Sequence, residues 1–119
     1  MGGFCDRFIS EHIEPHTMTY NGYENFDTWC AVSWLTNTQK EYDIATIQLA
    51  HLTAQGIKGD DLKLKLANWF KENLQTRADY VRRLYSDPEK AYEQIIIDLM
   101  NASIERINWF EVADAFLDE

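Results

Sequence analysis

The chain has 119 residues and a mass of 14.0 kDa, enough for one domain that buries roughly two-thirds of its unfolded surface and too short for a second. Apolar residues make up 45% and aromatics 13%, which excludes wholesale disorder. Eleven Lys and Arg against twenty Asp and Glu leave a formal charge of -9 and a pI near 4.7, which argues against direct binding to a phosphate backbone.

Helical periodicity dominates the chain from its start. Phe4, Phe8, Ile9 and Ile13 predict a short first helix, ended at Pro15, whose ring disfavours helical geometry in the residue before it. Tyr20-Asn21-Gly22-Tyr23 is a turn signal, because Asn and Gly tolerate positive φ; with no other convincing strand to pair with, it reads as a loop. Asn25 or Asp27 caps the next helix, in which Trp29, Val32 and Thr36 share a face and both Trp29 and Trp34 are assigned to the core.

A further helix runs from about Gln39 to Gln55, with Tyr42, Ile44, Ala45, Ile47, Leu49 and Leu52 along it and Gly56 as its stop. Asp60 is the expected cap of the next. There Leu62, Leu66, Trp69, Phe70 and Leu74 form an apolar stripe while Lys63, Lys65, Lys71 and Glu72 face water, and the helix runs on, bent or broken, through Tyr80 and Leu84. Ser86-Asp87-Pro88-Glu89 predicts another start, with Asp87 as cap and Pro88 in the first turn.

That helix carries two apolar stripes. Tyr92, Ile95, Ile96, Leu99, Ser103 and Ile107 form one, Ile97, Met100 and Ile104 the other, so it is expected at the centre of the fold. Asn108-Trp109-Phe110-Glu111 has the spacing of a capping box and opens a last helix burying Val112, Ala113, Phe116 and Leu117. The expected architecture is all-α: one compact domain of five to six helices over residues 18–119, preceded by an N-terminal extension, residues 1–17.

The residues of chemistry are few. Cys5 and Cys30 lie far apart without a secretory segment, so no disulfide framework is expected. Met1-Gly2-Gly3 lacks the Ser or Thr of a myristoylation site, since Asp6 stands there, and no run approaches the ~18 apolar residues of a membrane span. His12 and His16 with Glu11 and Glu14 have the wrong order for a zinc-protease helix, and Pro15 breaks their common face. His51 reads as partly buried and hydrogen-bonded, Cys30 as a small buried hydrophobe, and Asp60-Asp61 as a helix start. Five glycines never form a phosphate-cradling pattern. No catalytic residue, metal set or cofactor site emerges, and a non-enzymatic role is expected.

The charge is uneven. Residues 1–55 hold two bases against seven acids (-5), residues 56–90 eight against six (+2), and residues 91–119 one against seven (-6). The central bases Lys63, Lys65, Lys71, Arg77, Arg82 and Arg83, interleaved with Tyr80 and Tyr85, are read as a solvated or salt-bridged face rather than a nucleic-acid site. Glu111, Asp114 and Asp118 fall at i, i+3 and i+7, and Asp98 and Glu105 are seven apart. Such rows can imitate a line of phosphates in a partner's basic groove. With Glu24 and Asp27 from the acidic N-terminal part, these seven are the expected partner-binding residues.

The stretch Met18-Thr-Tyr-Asn-Gly-Tyr-Glu-Asn-Phe-Asp-Thr-Trp29 resembles the opening of a family of small uncharacterised phage, plasmid and bacterial proteins, and Ile107-Asn108-Trp109 resembles that family's closing Ile-Asn-Trp segment. Tyr23 stands where the family usually has Trp. The resemblance implies the genes of mobile elements, with residues 1–17 as an extension or Met18 as an alternative start. Tyr92-Glu93-Gln94-Ile95 and Ile97-Asp98-Leu99 resemble part of the C-terminal helix of the Ocr-type antirestriction proteins, phage DNA mimics that are also short, acidic and helical.

These features together lead to an expected function: a non-enzymatic inhibitor, anti-CRISPR or antirestriction in type, acting in the host bacterial cytoplasm. Its expected partner is a host protein or ribonucleoprotein defence complex, blocked by competition with nucleic acid, DNA mimicry being one mode. No direct nucleic-acid or membrane contact is expected. The alternative is a structural or regulatory interaction module, a homodimer through Ile97, Met100 and Ile104; a DNA-binding regulator built on the central bases comes third.

Overall fold

The computed structural model describes residues 19–117. The expected first helix, residues 1–17, Cys5, His12, His16 and Asp118 lie outside the described residues. Within them the chain is a single all-α domain of five helices without a strand: α1 (Phe26–Asn37), α2 (Gln39–Ala54), α3 (Gly59–Tyr85), α4 (Ala91–Arg106) and α5 (Trp109–Leu117).

Local chemistry sets most boundaries. Asn21 and Gly22 both take positive φ, 48° and 89°, as the two central residues of a type I′ turn must, and Tyr20 and Tyr23 exchange two 2.8 Å backbone hydrogen bonds across it. Among the described residues the turn stands as a single bridge. Asn25, not Asp27, caps α1, its Oδ1 accepting from the Thr28 N–H at 2.8 Å. Past α2, Gly56 adopts φ 84° and donates to the Thr53 carbonyl, while the Ile57 N–H reaches back to the Leu52 carbonyl. This pair of bonds is a Schellman stop, and Leu52 and Ile57 complete it by meeting in the core.

Two starts differ from expectation. Helix α3 begins at Gly59 after Lys58, so Asp60 is not its cap but sits with Asp61 in the first turn, against the positive end of the dipole. Helix α4 begins at Ala91, later than Asp87-Pro88 implies, because Asp87 closes a turn of its own. Its Oδ1 accepts from the Glu89 N–H at 3.0 Å and its carbonyl from the Lys90 N–H at 2.9 Å. Pro88 then occupies position i+1 of that turn, where its fixed φ fits. The expected break in α3 does not occur; 27 residues continue as one helix, about 40 Å long at 1.5 Å per residue.

The shortest helix, α5, is the centre of the fold. Val112 and Ala113 are wholly buried and Phe116 nearly so, packed against Leu66, Ala67 and Phe70 of α3 and Val32 of α1. Phe116 stands 5.0 Å from the Phe70 ring and 5.6 Å from that of Tyr42. The central place expected for α4 is therefore corrected. Its stripe of Ile97 and Ile104 is buried, with Met100 half-buried, whereas Tyr92, Ile95, Ile96 and Leu99 face water at 80%, 52%, 62% and 63% exposure. Trp34 is also corrected: it is 55% exposed, while Trp29 is half-buried against Tyr20 and Phe26.

Candidate functional site

Two segments distant in sequence are tied together by polar side chains. The Glu24 N–H donates to Glu111 Oε1 at 2.8 Å, and Asn108 Nδ2 donates to Glu24 Oε1 at 3.1 Å. Asn25 Nδ2 donates to the Arg106 carbonyl at 2.7 Å, and the guanidinium of Arg106 reaches Asp27 Oδ2 at 2.9 Å. At the centre lies Thr28, wholly buried: its hydroxyl donates to Asn25 Oδ1 at 2.7 Å and accepts from the Asn108 N–H at 2.8 Å. Burying a hydroxyl costs free energy unless it is bonded, and here both its roles are filled.

We term this network the clasp. It joins residues 24–28 to residues 106–111. The expected capping box is thereby half realised. Asn108 Oδ1 does accept from the Phe110 and Glu111 N–H groups, at 3.1 and 3.2 Å, but Glu111 turns away to Glu24 and the Asn108 N–H goes to Thr28.

The clasp absorbs three of the acids expected to meet a partner: Glu24, Asp27 and Glu111. A fourth, Asp114, pairs with Lys63 Nζ at 2.9 Å, and that ammonium also lies 5.9 Å from the Phe110 ring. Asp98 and Glu105 differ. Both are exposed on α4, and neither has a hydrogen bond or ion pair among the described residues. Seven residues of helix separate them by about 10.5 Å, the rise of roughly three phosphates along one DNA strand.

Sequence reasoning missed an apolar cavity. An apolar groove of about 630 Å³ opens between α1, α3, α4 and the start of α5, with Cys30 and Trp34 on one wall, Trp69 and Val81 on another, and Met100 and Trp109 closing it. Cys30 is thus half-buried at a groove wall rather than fully inside. Its signal was available in Trp34, an aromatic one turn from the end of α1, but only the placing of α4 shows that this Trp faces a groove.

The remaining candidates for chemistry are modest. His51 is exposed, not partly buried, and shares a 3.0 Å contact with Gln55 Nε2. Among the central bases Lys63 pairs with Asp114, Arg82 with Asp79 and Asn101, and Arg77 bonds Asn73 of its own helix, while Lys65, Lys71 and Arg83 are exposed. Among the described residues no group of three or more His, Cys, Asp and Glu could hold a metal ion, and no helix is long and apolar enough to cross a membrane. No family model matches the chain, and neither the curated proteins nor the solved structures contain a match to it.

Proposed function

We propose that this chain is a non-enzymatic inhibitor from a phage or other mobile element that binds and blocks a bacterial nucleic-acid-handling defence complex, antirestriction or anti-CRISPR in type. The observation that carries the reading is the acidic face of α4. Asp98 and Glu105 stand exposed with their carboxylates uncommitted among the described residues, on a chain of net charge -9. Such a face is drawn to a basic channel. A carboxylate only every 10 Å or so supports obstruction of that channel more than imitation of a continuous phosphate line.

The test is capture from host lysate at low and high salt, followed by an assay of DNA binding in the captured complex. The expected result is a salt-sensitive nucleic-acid-handling partner whose DNA binding falls, and recovery of that binding with the Asp98→Lys, Glu105→Lys variant. Capture of no such partner, or unchanged DNA binding, sinks the proposal.

A second reading is a structural or regulatory interaction module acting as a homodimer. The observation favouring it is the open apolar stripe of α4. The stripe first assigned to a dimer, Ile97, Met100 and Ile104, faces inward and does not serve.

A further inference from the structure

We propose that Asn21 is a site of self-modification: the turn it shares with Gly22 converts it, through a cyclic imide, to isoaspartate, and that change releases Tyr20 from the core. Of the seven Asn in the chain only Asn21 precedes a glycine. The backbone nitrogen of the following residue is the attacking group, and a glycine leaves it unshielded because no Cβ stands beside it. Both residues are exposed, and a methyl group on Gly22 Cα would meet nothing within 4 Å. Neither the Asn21 side chain nor the Gly22 N–H has a hydrogen bond among the described residues. The other Asn are held: Asn25 and Asn108 act as helix caps, and Asn37, Asn68, Asn73 and Asn101 lie within helices.

One local motion brings the reacting groups together. The central peptide of the type I′ turn, made of the Asn21 carbonyl and the Gly22 N–H, makes no bond of its own, and its flip gives a type II′ turn with the same outer bonds. Asn21 already has the positive φ, 48°, that both turns require at this position. The flip takes its ψ to about -120°, where the Gly22 nitrogen faces the side-chain Cγ.

The chemistry needs only water. The Gly22 nitrogen gives its proton to solvent base and bonds to Cγ; the Cγ–Nδ2 bond breaks, and Nδ2 leaves as ammonia with a proton from water. A water molecule then opens the ring. Cleavage between the nitrogen and Cγ gives aspartate, whereas cleavage between the nitrogen and the Asn21 carbonyl carbon gives isoaspartate, in which the chain runs through Cβ and Cγ. No electrons are exchanged, and the chain gains a carboxyl group.

Isoaspartate puts an extra backbone atom between Tyr20 and Tyr23, which in the unmodified turn exchange two 2.8 Å bonds. The bridge no longer closes. Tyr20 is 1% exposed, with Phe26 at 5.4 Å and Trp29 at 5.2 Å, and the clasp residues Glu24 and Asn25 follow directly after the turn. Modification therefore loosens the aromatic cluster at the entry to α1.

Incubation of the full chain in heavy-oxygen water at about pH 5 and about pH 8 tests this. Peptide mass spectrometry reads the label, a protein-isoaspartate methyltransferase serves as probe for the product, and near-UV circular dichroism reads the aromatic cluster. The expected result is label at Asn21 alone, at least tenfold faster at the higher pH because a base takes the Gly22 proton, with methyl acceptance rising and the aromatic signal falling in step. Asn21→Gly suits the same turn and has no amide to lose, so it is expected to take up no label there and to keep its signal. Converted and unconverted wild type, separated by charge, give the same comparison without a variant. An unlabelled Asn21 in the folded chain overturns the site, even where the urea-unfolded chain reacts. Product that is all aspartate, or full conversion with an unchanged aromatic signal, overturns the release of Tyr20.

Discussion

The clasp and the outer half of the α3–α4 hairpin bury their residues in opposite ways. At the clasp, polar side chains are drawn inward and nearly every donor has its acceptor: Thr28 is wholly buried, and Asn25, Asn108, Glu24 and Glu111 bond across the two ends of the described chain. At the hairpin, apolar side chains are left outside, with Tyr92 four-fifths exposed and Ile96 and Leu99 close behind. A satisfied buried network holds one geometry, since any shift leaves a polar group unpaired. An open apolar strip holds none until something covers it. The lesson is that the Asn, Thr and Glu of the clasp build scaffold although they are polar, while Ile, Leu and Tyr of the outer hairpin stand open to water although they are apolar.

The sharpest break removes what the two regions share. Phe116→Ala should cost about 3–5 kcal/mol, because the ring fills the space between Phe70 and Tyr42, and urea unfolding should show it as a lower midpoint. Ile97→Ala comes next, at about 2–4 kcal/mol, since this residue is the buried neighbour of an exposed one. Thr28→Val keeps the shape but strands the Asn108 N–H, and should cost about 1–3 kcal/mol at the clasp, read as a lower urea midpoint.

Asp27→Asn should cost less than about 1 kcal/mol, because its partner Arg106 is more than half exposed, and the difference from wild type should shrink between 0.1 and 1 M salt. Smallest of all is Ile96→Ala, within about 0.5 kcal/mol in thermal unfolding. A large loss there, comparable to that at Ile97, would erase the distinction between the regions.

Much of the fold is legible from residue patterns, and the reasons it stops are physical. The end of α2 follows from Gly56, and Asn25 and Asn108 are readable as caps, because each acts on backbone within a few residues. The start of α4 is misread because Asp87 and Pro88 suit a turn as well as a helix start, and only the Lys90 N–H decides between them. Helix α4 shows the deeper limit. Two apolar stripes in one helix are both sound core candidates, and nothing local tells which one α3 covers. The acids fail for a similar reason: spacing places Glu111 and Asp114 on a helix face, but Glu24 and Lys63, far away in sequence, determine whether that face remains free. Asp98 and Glu105 stay open because no such partner reaches them among the described residues.

The position of α5 has a consequence for synthesis. Its residues emerge from the ribosome after those of every other described helix, yet they form the middle of the core, and the clasp joins positions 79 to 87 apart. Helices α1 to α3 therefore emerge with their apolar faces uncovered and wait for α5, so the domain closes only once that helix has been made. A nascent chain stalled before α5 would carry an exposed core and be a target for chaperones and proteases rather than a slightly weaker version of the same protein.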